Sequence, residues 1–320
     1  SSVALAYALE SLAIRSRYQR AAPEAQRAKI QYLEARFGAL WGEMGAVAEA
    51  FGLAYAEAED LADAIRWYKK ALAANDASAS LKASEQLGNL SVRHACEAVD
   101  QALRKDGKIS AAQLTKARKQ IGDAHQLLER LVALQPSIER WNLLGSAWKR
   151  LALIEAIAKR PRNEVTAIGK MRESYAKAEA LARDTDHSKL FYPVSNRMAA
   201  ELVLNLRKPS WEKFDPAKVN EVRKSLATKA RDDPDFCSVA GFTELRMYTA
   251  IADRTLAAEL PQIEDELEDL FTRVSVPSMW SSIVDQASFV LPKYAVRAAG
   301  AERRAAEALL KRLRSYVRAH

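Results

Sequence analysis

The sequence predicts an all-α protein built from stacked antiparallel helical hairpins. The 320 residues include 60 alanines but only 11 glycines and 10 prolines. Alanine loses least in a helix, whereas glycine and proline lose most. Small and aromatic residues also recur at fixed helical spacings from residue 45 onwards, as expected when one packing contact is repeated along a chain.

Composition places the chain among folded, soluble proteins. Hydrophobic residues make up 49% and charged residues 28%, which excludes disordered and collagen-like chains. No apolar run reaches the roughly 18 residues of a membrane helix and no signal peptide leads the chain, so we expect a cytoplasmic protein without a membrane partner. Cys96 and Cys237 are too few for a disulfide framework. Because the chain begins Ser1-Ser2 without methionine, we expect it to be a piece of a longer protein.

The clearest hairpin spans residues 45–78. Its small and aromatic positions are Ala48, Phe51, Gly52, Tyr55, Ala64, Tyr68, Ala71 and Asp76. Glycine and alanine allow two antiparallel helices to approach closely, and the aromatic rings fill the holes beside them. The sequence therefore predicts two short helices joined by a tight turn in this segment.

Two further hairpins repeat the pattern with longer helices. The second, residues 81–136, carries Ser84, Leu87, Gly88 and Ser91, and then Ala124, Leu128, Leu131 and Pro136. Ser91, the last of these positions on the first helix, and Ala124, the first on the second helix, lie 33 residues apart. The equivalent positions of the first hairpin, Tyr55 and Ala64, lie 9 residues apart. An insertion therefore lengthens both helices of the second hairpin around a turn predicted at residues 106–108. The third, residues 138–183, carries Trp141, Leu144, Gly145 and Trp148, and then Met171, Tyr175, Ala178 and Arg183, with Pro161 at the turn. A fainter fourth hairpin covers residues 188–206 and 215–231, with Pro209 and Pro216 between its helices.

The spacing in residues 45–78 resembles the tetratricopeptide repeat, which has Trp, Leu, Gly, Tyr, Ala, Phe, Ala and Pro at the same steps. This resemblance implies a right-handed α-α superhelix, in which the first helix of each hairpin lines a concave groove that receives a peptide or a partner helix. The groove-facing positions of the family fall on Glu49, Leu53, Lys82, Glu85, Asn89, Arg93, Asn142, Ser146, Lys149 and Arg150. Chaperone-binding members clamp a terminal carboxylate with Lys and Asn where this chain has Glu49 and Leu53, so we do not expect a receptor for chaperone tails.

Residues 232–320 lack the repeat, and we expect them to form a helical cap packed on an array that spans residues 1–231. The run Asp232-Asp233-Pro234-Asp235 predicts a turn, followed by a helix to about residue 258. Pro261, Pro277, Pro292 and Gly300 predict breaks that divide the rest into shorter helices. In the last helix an apolar face opposes a basic face. The apolar residues are Ala306, Leu309, Leu310, Leu313 and Val317, and the basic ones are Arg304, Lys311, Arg314 and Arg318. Six acids between Glu259 and Asp269 are expected to form a solvated or partner-facing surface.

The C-terminal region also resembles the helical tails of bacterial multidomain proteins in which repeats follow a caspase-like CHAT peptidase domain. The residues concerned are Pro234-Asp235-Phe236, Gly241, Glu244-Leu245-Arg246, Trp280-Ser281-Ser282 and Asp285-Gln286-Ala287. This resemblance implies a region that regulates or targets a protease lying upstream in a parent chain, without being the protease itself.

The sequence offers no residues that we assign to catalysis, cofactor binding or metal binding. Gly169-Lys170 lacks the upstream glycine of a phosphate loop. The four histidines (His94, His125, His187 and His320) are isolated from one another, and His94 and Cys96 lie on different faces of one helix, which disfavours zinc. Cys237 could serve a cysteine-dependent hydrolase, but its apolar neighbours Phe236 and Val239 favour a cysteine in the core.

The repeats favour a non-catalytic scaffold or interaction module whose groove binds a peptide, a partner protein or another domain of the same parent chain. Nucleic-acid binding is the alternative, because a net charge of +8 attracts phosphates. The basic residues Arg104, Lys105, Lys108, Lys116, Arg118 and Lys119 gather near the predicted tip of the second hairpin, and a second basic set covers the last helix. No nucleic-acid motif accompanies them and the aromatic residues mostly occupy repeat-core positions, which favours the interaction module.

Overall fold

The all-α prediction is confirmed by the structure, a computed structural model that describes residues 1–18, 23–208, 212–274 and 277–318. Within these residues the chain forms fourteen α-helices and a short 3₁₀ helix at His187–Lys189, without a β-strand. The helices are α1 (Ser2–Tyr18), α2 (Pro23–Trp41), α3 (Gly45–Glu57), α4 (Leu61–Ala73), α5 (Leu81–Asp106), α6 (Ala111–Leu134), α7 (Ile138–Ile157), α8 (Pro161–Thr185), α9 (Phe191–Asn205), α10 (Pro216–Asp232), α11 (Phe236–Asp253), α12 (Leu256–Arg273), α13 (Pro277–Arg297) and α14 (Gly300–Arg318). Pro209, predicted to punctuate the fourth hairpin, lies outside the described residues.

The chain divides into two compact units. The first contains Ser1–Pro136 and Ser146–Glu164, and the second contains Ser137–Gly145 and Val165–His320. Helices α7 and α8 therefore each contribute residues to both units. The predicted extent of the repeat array, with a cap beginning at residue 232, stays a prediction.

In the first unit, α3 and α4 form a hairpin that buries the aromatic and small positions of residues 45–78. Phe51 and Tyr55 are fully buried, and so are Ala48 and Ala64. A Cβ atom added to Gly52 would lie 3.0 Å from the ring of Tyr68, which is tighter than ordinary van der Waals contact. The glycine is therefore what allows α3 to lie this close to α4.

Asp76 stands where the tetratricopeptide repeat has a proline, and it caps the hairpin from outside. Its carboxylate accepts hydrogen bonds from the Gly45 N–H at 3.1 Å and from the Ser78 hydroxyl at 2.8 Å. Because the residue before α3, Met44, offers no capping side chain, Asp76 satisfies an amide at the start of α3 that would otherwise lack a partner.

The second hairpin consists of the long helices α5 and α6, as the inserted residues predict. Gly107 ends α5 in the left-handed region with φ of 64°, and Ser110 and Gln113 form a capping box at the start of α6. A Cβ atom on Gly88 would lie 2.9 Å from the side chain of Leu128. The second hairpin thus repeats the glycine contact of the first.

The third hairpin, α7 and α8, has a closer glycine contact at the predicted position than the first two hairpins have. In the second unit, a Cβ atom on Gly145 would lie 2.8 Å from the ring of Tyr175, which is itself fully buried. Since an aromatic ring held on all sides cannot retreat, a larger residue at this position has to push the two helices apart.

We expect Gly145→Leu to lower the free energy of unfolding by about 1–3 kcal/mol, because the leucine overpacks the contact with Tyr175. Gly169→Leu is the matched control, since it lies within α8 and a Cβ atom there meets nothing within 4 Å. The control should be neutral or slightly stabilising through its better helix propensity. Urea denaturation followed by circular dichroism measures both, and equal effects of the two changes would contradict the close packing of α7 on α8.

The C-terminal helices differ from the predicted breaks. Helix α11 ends at Asp253 and not near residue 258, because the Glu302 carboxylate accepts the N–H groups of Leu256 and Ala257, both at 3.0 Å, and so starts α12. Pro261 and Pro292, predicted as helix breaks, lie inside α12 and α13. Pro261 removes one backbone hydrogen bond from α12. The burial of Ile263, Leu267 and Leu270, which follow the proline in the same helix, outweighs this loss of stability.

The last helix, α14, buries part of the predicted apolar face. Ala306, Leu309 and Leu313 are buried, whereas Leu310 and Val317 are only half-buried. The predicted basic residues Arg304, Lys311 and Arg314 are exposed, and the side chain of Arg318 lies outside the described residues. The acidic run is more than solvated surface, because Glu268 pairs with Arg312 and accepts the Tyr316 hydroxyl at 3.0 Å, which fastens α12 to α14.

Candidate partner-binding groove

The predicted groove residues lie on α3, α5 and α7, the first helices of three successive hairpins. Glu49 and Leu53 lie on α3, and Lys82, Glu85, Asn89 and Arg93 lie on α5. The remaining four lie on α7, which divides between the units: Asn142 belongs to the second unit, and Ser146, Lys149 and Arg150 belong to the first. Helices α3 and α5 contact each other, so their residues form one surface within the first unit.

Several of these residues already hold partners within the protein. Glu49 accepts the N–H of Ser80 at 2.7 Å and its hydroxyl at 2.5 Å, and so joins α3 to the first residue before α5. Lys82 pairs with Glu85 at 3.2 Å, and the Glu85 carboxylate is buried. Because these side chains are already engaged within the protein, they are less available to a partner.

Asn89 and Arg93 are available. Both are half-buried on α5 and make no hydrogen bond or ion pair with any residue that the structure describes. Leu53, half-buried on α3, adds an apolar contact to the same surface. A guanidinium and an amide held on a rigid helix with open hydrogen-bonding positions suit a carboxylate or an extended peptide backbone.

Positive charge gathers where α5 and α7 meet in the first unit. Arg93 and His94 on α5 and Arg150 on α7 all interact electrostatically with the carboxylate of Glu97. Arg150 also donates a hydrogen bond to Ser146 on the preceding turn of α7. Three basic side chains around one acid leave this part of the surface attractive to a negatively charged segment.

The other two α7 residues differ from the prediction of simple groove-facing groups. Lys149 is buried, with 6% of its surface exposed, and its contacts lie within the protein. Asn142 is half-buried, and its side-chain oxygen lies away from solvent without a hydrogen-bond donor among the described residues. An unsatisfied buried acceptor is costly, and its burial keeps this oxygen from a partner in the groove.

Behind the α7 part of this surface lies an aromatic contact that sequence reasoning missed. His125 of α6 stacks on Trp148 of α7 with ring centroids 3.9 Å apart, and His125 is buried. Burial lowers the pKa of the His125 imidazole to about 4, so the ring is neutral at pH 7. The tetratricopeptide positions in α7 include Trp148, but nothing in the spacing indicates that a histidine 23 residues earlier meets it.

Cys237 is not the core residue that its neighbours predict. It is exposed at the start of α11, because Phe236 takes the inward direction against Trp280, with ring centroids 5.5 Å apart. Although part of the residue is exposed, the protein atoms around the sulfur desolvate it and, together with the carboxylates of Asp235 and Glu244, raise the pKa of the thiol to about 12. The reactive thiolate is therefore scarce at neutral pH, which does not favour the hydrolase alternative.

The described residues contain no group of three or more His, Cys, Asp or Glu side chains placed to hold a metal ion. Among the described helices, none is both long enough and apolar enough to cross a membrane.

The basic tip of the second hairpin is partly neutralised. Arg118 pairs with the buried Glu155 at 3.1 Å, and Lys119 pairs with Asp123 at 3.0 Å. The remaining tip residues make no ion pair with a described residue: Arg104, Lys105, Lys108 and Lys116. Nucleic-acid binding by this tip stays an alternative.

Comparison with known families agrees with the hairpin geometry. Residues 89–203, from within α5 to within α9, match the family model described as Tetratricopeptide Repeats-Sensor. No curated protein matches the chain. The CHAT-related resemblance of the C-terminal region stays a prediction. The match confirms the tetratricopeptide resemblance over residues 89–203.

Proposed function

We propose that the chain is a non-catalytic interaction module that binds an extended acidic segment of a protein along α3, α5 and the first-unit part of α7. Tetratricopeptide repeats generally mediate protein–protein interactions, and this supports the class of partner. The basic cluster formed by Arg93, His94 and Arg150 around Glu97 supports the negative charge of the segment.

One observation carries the proposal: Asn89 and Arg93 lie side by side on α5, one turn apart, and make no hydrogen bond or ion pair with a described residue. Most other polar residues of the surface are engaged, for example Glu49 with Ser80 and Lys82 with Glu85. Residues that are fixed on a packed helix and have open donors lose little entropy when they bind. Asn89 and Arg93 are therefore the central contacts, with Leu53 beside them.

The test uses a random peptide display library selected on the full chain. We expect the enriched peptides to be rich in Asp and Glu. Arg93→Ala should weaken the best of them by about tenfold or more in fluorescence anisotropy, because an interfacial arginine paired with a carboxylate is typically worth more than 1.4 kcal/mol.

Lys116→Ala is the matched control, since it removes an exposed, unpaired positive charge from α6, a helix that contributes no residue to this surface. Its affinity for the selected peptide should equal that of the unchanged chain. Equal weakening by Lys116→Ala and Arg93→Ala would show that general charge attraction is responsible, and selection of peptides without acidic residues would contradict the proposed partner.

We also propose that this module regulates or targets a larger protein. The support is the resemblance of residues 234–287 to the tails of CHAT-containing proteins. Determining the reading frame that encodes the chain tests this, since a parent gene without a neighbouring peptidase domain would remove the support.

A further inference from the structure

A cleft of about 390 Å³ lies in the first unit between α4, α5 and α6. Helices α4 and α6 both pack on α5 and form the two walls. The floor includes Ile65 of α4, Leu87 of α5 and Leu127 of α6. The volume falls within the range of about 300–1,000 Å³ that is typical of small-molecule sites.

Four polar side chains also line this cleft: Lys69 of α4, Ser91 and His94 of α5, and Gln120 of α6. None of them makes a hydrogen bond or an ion pair with a residue that the structure describes. Neighbouring cations are engaged, as Arg66 pairs with Glu34 and Lys70 pairs with Glu43. An apolar floor with a few open polar groups around it is the usual composition of a ligand site.

The charged side chains around the cleft indicate which kind of ligand it binds. Its acid, Asp123, is paired with Lys119 at 3.0 Å, so the ammonium of Lys69 is the uncompensated charge. Ammonium groups hold carboxylates through charge-assisted hydrogen bonds. Ser91 and Gln120 offer donors that can share the same oxygen atoms.

The length of the cleft sets the size of the apolar part. Leu87 and His94 both line it, and seven residues of helix span about 10 Å. We propose that this cleft binds a small organic acid, in which a carboxylate is held by Lys69 and an apolar body of about six to nine carbon atoms lies on Ile65, Leu87 and Leu127. The cleft shares His94 with the basic cluster beside the peptide-binding surface, but the residues that hold the acid are not among the proposed peptide contacts Leu53, Asn89 and Arg93.

The test uses 3-phenylpropionate and hexanoate as probes, with their primary amides as neutral controls of the same shape. Saturation-transfer NMR and titration calorimetry on the full chain should show binding of both acids. The amides should bind at least about tenfold more weakly, since they cannot form the charge-assisted contact.

Lys69→Met keeps the length of the side chain, removes its charge, and should weaken both acids by at least about fivefold. Lys70→Met removes the same charge from the next residue, which pairs with Glu43, and should leave acid binding unchanged. Ala62→Phe, at an exposed position on the rim of the cleft, should abolish binding by filling the space. Circular dichroism verifies that each variant is folded.

Absence of acid binding at 10 mM, a concentration far above the roughly micromolar-to-millimolar affinities of small-ligand sites, would overturn the proposal. So would equal affinity for the amides, or equal effects of Lys69→Met and Lys70→Met. Binding that survives Ala62→Phe would place the acids elsewhere on the protein and would overturn it as well.

Discussion

Replacement of Trp67 by alanine is expected to lower the free energy of unfolding by about 3–5 kcal/mol, the usual cost of removing a buried aromatic side chain. Trp67 is buried on α4, and its ring stacks on Phe51 of α3 with centroids 4.3 Å apart. Its Nε1–H donates to Glu34 of α2 at 3.0 Å. One side chain therefore joins three helices of the first unit.

The surroundings of Trp67 explain why a smaller residue cannot be accommodated. A Cβ atom on Gly42 would lie 2.8 Å from its ring, so the backbone before α3 is shaped around the indole. Removal of the ring leaves a cavity and removes one of the donors on the Glu34 carboxylate.

Chemical denaturation of Trp67→Ala and of Tyr32→Ala provides the comparison. Tyr32 is an aromatic residue of α2 with 58% of its surface exposed, and its removal should cost less than about 1 kcal/mol. If the two changes had similar effects, the packing of α2, α3 and α4 around the indole would be wrong.

The second large effect concerns pH and His125. Burial lowers the pKa of His125 in the folded protein to about 4, below the ordinary value of 6.5. The unfolded chain therefore binds a proton at this residue at a higher pH than the folded chain does. The stability contributed by the neutral ring is complete above pH 6.5 and is lost as the pH falls from 6.5 to 4, to an extent of about 3 kcal/mol.

His125→Phe isolates this effect, because phenylalanine keeps an aromatic ring against Trp148 but cannot be protonated. Urea denaturation at several values between pH 7 and pH 4 should show a steeper loss of stability in the unchanged chain than in the variant. Parallel curves for the two proteins would mean that His125 is not held neutral in the first unit.

The parts of the fold that could be predicted are those set by local spacing. Gly52, Gly88 and Gly145 each lie where the repeat pattern places them, against Tyr68, Leu128 and Tyr175. Close helix packing demands a small residue at these points, so the requirement is visible in the sequence itself. The turn at residues 106–108 could be predicted for the same reason, because glycine favours the left-handed conformation found at Gly107.

Features that depend on residues distant in sequence could not be predicted. Pro261 was expected to end a helix, but Glu302, 41 positions later, starts α12 and its buried face carries the helix past the proline. The neighbours of Cys237 predict a cysteine in the core, but Phe236 packs on Trp280 and Cys237 is exposed. The engagement of Glu49 with Ser80 likewise appears only when α3 and α5 are placed together.

The groove likewise has features that local sequence spacing predicts and features that depend on residues distant in sequence. Its helices follow from the repeat pattern, whereas which of its side chains are free depends on their neighbours in space. The pattern alone does not separate Asn89 and Arg93, which are open, from Glu85 and Lys149, which are buried. The cleft around Lys69 is not indicated by any motif, because its lining comes from three helices at ordinary surface positions.

Hydrogen exchange of the chain with and without a selected acidic peptide tests the central claim most directly, since exchange reports which helices are stabilised by a ligand. We expect peptide binding to slow amide exchange mainly in α3, α5 and the 146–157 part of α7, with little change in α4 and α6. Slowed exchange confined to α4 and α6, or an unchanged pattern in α5, would contradict the proposal that the first helices of the hairpins form the binding surface.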